Sequence, residues 1–402
     1  MQNFRISVIL TTMILLSGCS ESRDKTISDS PVTSQQNKEI QPLDAVAVAD
    51  IVQKIESVSG EVGRAADGTI ISVDLAKGRS SVSDEALRES LRLPGLKKLR
   101  VAGGAITSET LRQIAQQTNL EELYLQDTPV RDEDLAVMLP TLPRLQRLTL
   151  RGCVNVTNDV LESVLALPKL RSLALIRMNL TRQGLEKIVE SKKITALDLR
   201  QCSELTPEDY LLLARMTQLT DLKIAGFSID DSVLATVAQL PALAGLTLED
   251  AMISPEGFAE MISQQNIAEN LTSLILARDS TLFDAGLEPL KNLRCLKRLS
   301  VNGMMVTGEF LNLLSAEESK RPKLENLSLE KSLLTLEGAT ALKHFRELKS
   351  LNLSGVALSP ELTEIIVTLE TPETLNISGC QLDDGMIQKF RNMKSVKTLI
   401  AK

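Results

Sequence analysis

The sequence predicts an α/β protein built as a solenoid, with a parallel sheet along one face and helices along the other. Three observations lead there. The pattern LxxLxL recurs with its first position at Leu96, Leu120, Leu145, Leu170, Ile194, Leu219, Leu243, Leu271, Leu296, Leu324 and Leu348, at intervals of 24 to 28 residues. Weaker marks follow at Pro372 and Val396, and an irregular one precedes them at Ile70. Self-similarity at this period is the signature of stacked supersecondary units. The second observation is the unit itself, best formed between Leu145 and Val164. There Leu148 and Leu150 alternate with Arg147, Thr149 and Arg151 as a strand with one buried side, Gly152 and Cys153 begin a turn, and Val156 points back inward. Thr157 then stands as an N-cap before a helix carrying Leu161 and Val164. The third is the chemistry of the helix starts. Thr206-Pro207-Glu208-Asp209, Ser254-Pro255-Glu256 and Ser359-Pro360-Glu361 each place a capping hydroxyl, a proline at the first helical position and acid against the positive helix end. A lone unit buries too little to offset the entropy of ordering it, so the units must stack.

Eight positions past the phase mark stand Cys153, Cys202 and Cys380, with Thr128, Ala251 and Ser332 in other units. This spacing resembles the cysteine-containing subtype of leucine-rich repeat, over roughly residues 69–402. The resemblance implies a ribonuclease-inhibitor-like horseshoe of about 13 repeats, with the sheet concave, the helices convex and a partner held on the concave face. The same subtype is similar to that of F-box substrate receptors in ubiquitin ligases. Here an export signal precedes the repeats in place of an F-box, so that role is the more remote alternative.

Along the chain, residues 1–18 resemble a bacterial lipoprotein signal. One basic residue, Arg5, precedes an apolar run from Ile6 to Leu16 that is too short to span a bilayer alone, and the lipobox Leu16-Ser17-Gly18-Cys19 follows. The resemblance implies cleavage before Cys19 and lipidation of its thiol, hence attachment to the membrane of the cell envelope. Ser20 after the cysteine points to the outer membrane over the inner. Residues 19–42 are polar and aperiodic and read as a disordered tether. Residues 43–68 hold an N-terminal cap. Leu43, Ala47, Ile51, Ile55 and Val58 share a helix face, which ends near Gly60, and a hairpin then turns at Ala66-Asp67-Gly68 into the strand Ile71, Val73, Leu75. The solenoid occupies residues 69–402. The two longer repeats, at Leu243 and Leu296, carry their extra residues, SQQNIAEN and SAEESKRP, where loops at one rim are expected. The segment Val396 to Lys402 reads as a strand with an open edge, which would admit a second copy or another partner.

The composition narrows the function. The formal charge of -7 on 402 residues argues against nucleic acid as a partner, since phosphate neutralisation needs a basic surface. No catalytic constellation, cofactor motif or metal site emerges. The sole histidine, His344, falls on the helix after Leu336 and reads as a solvent-facing or rim residue, not a general base. Asp230-Asp231 and Asp383-Asp384 occupy helix starts and read as caps. Gly103, Gly152, Gly226, Gly303, Gly355 and Gly379 recur at one phase and serve turns. Cysteines two repeats apart lie near 10 Å at a strand spacing of about 4.8 Å, too far for a disulfide. Cys153, Cys202, Cys295 and Cys380 are therefore expected free and mostly buried, as small apolar turn residues.

What remains is the outward side of the strands. Positions two, four, six and seven past each mark give Lys98, Arg100, Tyr124, Arg147, Arg151, Arg177 and Arg200, with Glu122, Asp127 and Asp198 interspersed. Asp221, Glu249 and Asp250 follow, then Asn326, Ser328, Ser350, Asn352, Ser354, Asn376 and Ser378. The face is zoned: basic with one aromatic, then acidic, then neutral. Arginine forks suit carboxylate or phosphate partners. The expected function is a non-enzymatic, lipid-anchored protein interaction scaffold or receptor of the envelope, whose basic zone would take an acidic partner. A carbohydrate- or peptidoglycan-binding module is the alternative, disfavoured by a single tyrosine where sugars call for aromatic platforms.

Overall fold

A computed structural model describes residues 43–77, 82–318 and 321–401. The expected signal, lipidation residue Cys19 and tether lie outside them. Fifteen strands, from Glu61–Arg64 to Thr398–Ile400, form one sheet in chain order. The first pair, Glu61–Arg64 with Ile70–Asp74, is an antiparallel hairpin, and each later neighbour is parallel. This is a leucine-rich repeat solenoid.

The register is a leucine spine. Leu99 pairs with Leu123, Leu123 with Leu148, Leu148 with Leu173, and the row continues through Leu197, Leu222 and Leu246 to Leu375 and Leu399. The phase marks from Leu96 to Leu348 are all buried, and with the spine they form one continuous core between sheet and helices. A second regularity follows each strand. The residue seven past the mark has left-handed backbone in every repeat from Gly103 to Gly379, including the non-glycine residues Asp127, Arg177, Gln201, Asp250, Arg278 and Lys331. Left-handed φ costs an L-residue about 1–2 kcal/mol, so stacking imposes the turn even where the side chain resists it.

Neighbouring repeats are tied at both ends of their helices. At the start, an acid at the head of one helix accepts two hydrogen bonds from the next repeat's hydroxyl residue. Asp84 takes the N–H and hydroxyl of Thr107 at 2.7 and 2.8 Å. Asp132 binds Thr157 in the same way, Asp231 binds Ser254, and Asp284 binds Thr307. Asp230 caps its own helix through the N–H groups of Ser232 and Val233, but Asp231 is an inter-repeat tie and not a cap, because its carboxylate faces the neighbouring helix. At the helix end, long polar side chains reach back to free carbonyls. Gln218 donates to the carbonyls of Ser191 and Ile194, and Asn266 to those of Ala238 and Leu240.

The four cysteines among the described residues are free. Cys153, Cys202 and Cys380 are buried, and each thiol donates to a backbone carbonyl of the preceding repeat, Leu125, Leu175 and Leu353 respectively. Cys295 is exposed: it lies in the turn just before the mark Leu296, on the rim where the chain enters the strand, and not in the buried turn that leaves it. The longer repeat at Leu243 also departs from expectation. Its extra residues form a helix, Gln265–Asn270, and not a loop, because Ile267 finds a place in the core. The helix Ala45–Ser57 buries Ile51 and Ile55 against the same core. In the strand Ile70–Asp74, Ile70 is buried and Ile71 only half so, a shift that accompanies the register irregularity at Gly63/Arg64.

Candidate binding face

Strand alternation sends positions two and four past each mark outward, and the left-handed turn swings position seven to the same side. All seven residues singled out from the sequence lie on this sheet face, from exposed Lys98, Arg100, Arg147 and Arg177 to half-buried Tyr124, Arg151 and Arg200. The structure brings five of the six cations onto carboxylates of the chain's own sheet face, in the same, the adjacent or the next-but-one repeat. Glu122 sits between Lys98 and Arg147, at 3.0 and 2.9 Å. Arg100 lies 3.3 Å from Asp74 and stacks over the Tyr124 ring, 4.4 Å from its centroid. Arg177 reaches two repeats back to Asp127. That path crosses Gly152, where a side chain would collide with both partners.

Towards the middle the zones merge into one network. Arg200 grips Asp198 with two hydrogen bonds, at 3.0 and 2.8 Å, and extends its remaining nitrogen to Glu249 at 2.7 Å. Glu249 also accepts from Arg278, which holds Asp250 through two bonds of 2.8 Å. Asp198 beside Arg200 and Asp250 beside Arg278 raise both guanidiniums above the ordinary arginine range. Arg278 in turn holds the Asp250 carboxyl below its usual range. Asp221 goes the other way: burial raises it, with Asp198 adding repulsion and Lys223 opposing. Arg151 is the exception among the cations, its buried Nε without a hydrogen-bond partner among the described residues. Further along, Asn302 accepts from the Ser328 hydroxyl at 2.7 Å, and Ser328 accepts from Asn352 at 2.9 Å. The neutral zone is thus a hydrogen-bonded ladder.

The face is therefore a pinned polar mosaic and not a bare cationic patch. Arg278 and Lys223, which join it, stand at positions seven and four of their repeats, so the same phase rule finds them. The strand-exit edge could not be found that way. Val154, Met252, Met305 and Leu333, nine positions past their marks, are exposed, as is Phe227 at 80%. Phe227 stands eight past its mark, a slot that holds buried Cys153, Cys202 and Ala251 in other repeats. Gly226 before it takes φ +123°, far from the +51° to +70° of most equivalent turns, and the chain turns the ring outward. His344 is exposed, and its carbonyl accepts from Arg321. Among the described residues no cluster of His, Cys, Asp and Glu is arranged to hold a metal ion, and no helix is long and apolar enough to cross a membrane.

No family model matches the chain, and no curated protein matches it. Solved leucine-rich repeat structures do. The yeast Rad7 and Elc1 complex matches with a TM-score of 0.50 and 17% identity over 80% of this chain and 84% of that one. An internalin, inlF, from Listeria monocytogenes gives a TM-score of 0.44 and 19% identity over 87% and 94%. A TLR13–ssRNA13 complex gives 0.40 and 20% over 80% of this chain and 49% of that one.

Proposed function

We propose that the protein is a non-enzymatic interaction scaffold that binds a protein partner across its sheet face and strand-exit edge. The observation that carries this reading is Phe227. A large apolar side chain in a slot that buries its equivalents elsewhere is exposed at 80%, with Met252 beside it in the next repeat and Met305 and Leu333 farther along the same edge. Exposed aromatic and methionine side chains next to arginines are the composition of protein interfaces, where such residues anchor binding. The ion-pair mosaic supports the reading in a second way. Guanidinium forks already fixed by carboxylates lose little entropy when a partner docks, and their exchange among alternative acids gives specificity more than raw affinity. The proposed scaffold includes an anchor: the resemblance of Leu16-Ser17-Gly18-Cys19 to a lipobox supports lipid on Cys19 and attachment to an envelope membrane.

Affinity capture from an envelope extract, read by mass spectrometry, tests the scaffold. The double variant Phe227→Ala, Met252→Ala is expected to lose the captured protein while its melting temperature stays that of the parent, as is Arg147→Glu, Arg177→Glu with at most a small loss of stability. Capture unchanged by both variants would remove the proposal. Incorporation of labelled palmitate, abolished by Cys19→Ser, tests the anchor.

A further inference from the structure

The strand-entry rim carries charges one position past several of the marks, and towards both ends of the solenoid these charges neutralise one another. Lys97 pairs with Glu121 at 3.4 Å. Farther along, Glu325 pairs with Lys297 and Lys349 at 3.5 and 2.7 Å, and Glu373 pairs with Lys397 at 2.9 Å. The ladder breaks in the middle. Gln146 and Arg171 follow Glu121 in the row, and Arg171 has no ion pair among the described residues. One position before the marks, Arg144, Lys169 and Lys193 stack beside it, all exposed. Lys169, Arg171, Lys192 and Lys193, with Gln146 and Pro168, line a groove of about 480 Å³ that contains no carboxylate. The nearby acid Glu190 is already engaged by Arg215. Between Arg144 and Lys193 ten lysines and arginines accompany four acids, in a chain whose net charge is -7. Lys193 is held in place by the carbonyls of Leu165 and Leu167, both at 2.8 Å, which leaves one of its three N–H groups free to point outward.

We propose that this rim groove, across the repeats marked by Leu145, Leu170 and Ile194, binds an acidic polypeptide segment. The inference deepens the scaffold reading, since it takes the partner to be a protein. It moves the acidic contact from the sheet face, where the cations already have carboxylates, to the rim, where they lack them. A row three repeats wide spans only about 10 Å at the strand spacing of a parallel sheet, the length of a few extended residues. Arg171 supplies a fork for a carboxylate, the lysines supply point charges, and the Gln146 amide can both donate to and accept from a peptide main chain. A long nucleic acid would meet repulsion from the acidic remainder of the chain.

Fluorescence anisotropy of the intact protein with a labelled peptide of alternating Glu and Ser, and with its Gln counterpart, tests the groove at low and physiological salt. The Glu peptide is expected to bind and the Gln peptide not, with affinity falling as salt rises. Lys169→Glu, Arg171→Glu should weaken binding about tenfold or more, and Arg100→Glu, Arg177→Glu on the sheet face should change it by less than about twofold. The substituted rim residues are exposed, and an unchanged thermal melt verifies folding. Equal binding by the rim variant and the parent, or no binding of the Glu peptide at low salt, would overturn the assignment. So would tripolyphosphate or single-stranded DNA displacing the peptide at far lower concentration. A loss confined to the sheet-face variant would defeat the rim while leaving the scaffold reading intact. Loss of capture through Phe227→Ala, Met252→Ala bears on the scaffold alone.

Discussion

Single residues in this protein are judged by what the neighbouring repeat places against them. Gly338 shows it most clearly. A methyl group there would sit 2.4 Å from the backbone carbonyl oxygen of Thr307 and 2.9 Å from the backbone of Gly308, and neither can retreat without shifting a turn. Gly226 is the contrast, with left-handed φ and open space around it. Gly338→Ala should therefore cost about 1–3 kcal/mol through overpacking, and Gly226→Ala about 1–2 kcal/mol through backbone conformation alone. Denaturant melts of both variants, with Phe227→Ala as the exposed control, check this ordering. Sequence phase marked the glycines at position seven as turn residues. Gly338 carries no such mark, because its constraint comes from a backbone 30 residues earlier. Burial also separates the thiols: it pushes Cys202 up to about 11, and Cys153 and Cys380 upward, which keeps them protonated and inert.

At the scale of elements, the helices are fastened to one another by carboxylates. Burial by itself would raise Asp84, Asp134 and Asp209, yet all three lie below the ordinary range. The N–H and hydroxyl of Thr107 hold down the first. The Ser108 hydroxyl, the Arg131 N–H and Arg112 hold down the second, and the Thr206 N–H with Arg182 the third. A carboxyl depressed in the folded state contributes stability that is present above its unfolded value, about 3.9, and is lost as pH falls through the folded value. The melting temperature should accordingly stay level from neutral pH to about 5 and drop below about 4, and Asp84→Asn with Asp134→Asn should make that drop shallower. A drop of the same size in the double variant would show that these carboxylates do not fasten the helices. Helix starts with a Ser-Pro-Glu context were legible, since Ser254 and Ser359 cap as it implies. Thr157, by contrast, is not the N-cap expected of it: the helix begins at Val160 after Asp159, and Thr157 is turned to Asp132 of the preceding repeat. The division of labour between Asp230 and Asp231 was not legible either, because two adjacent acids look alike until the next helix lies against one of them.

At the scale of the whole molecule, stability is a sum over repeats and the interfaces between them. Removing one full period, Glu121 to Leu145, brings Leu120 to the place of Leu145, so the leucine spine closes up in register. That deletion should keep the far-ultraviolet dichroism of the parent and a cooperative melt. Removing only Glu121 to Asp132 puts every later leucine out of phase with the repeats before it and should abolish the cooperative transition. Equal stability of the two deletions would contradict the one-dimensional account.

The period, the strand and helix of each unit, the buried leucines and the outward set of side chains were all determined by the sequence alone, because they are local. Alternation, capping and spacing operate within about two dozen residues. The tertiary structure decided which charges remain available. Arg177 meets Asp127 across 50 residues and Arg200 meets Glu249 across 49, while Arg171 meets no acid among the described residues. A charge is neutralised by whatever the stacked register brings within a few ångströms of it, and that distance is set by repeats far away in the chain. Phe227 points outward for a similar reason, since one turn with a different φ reverses a side chain that its phase alone would have placed in the core.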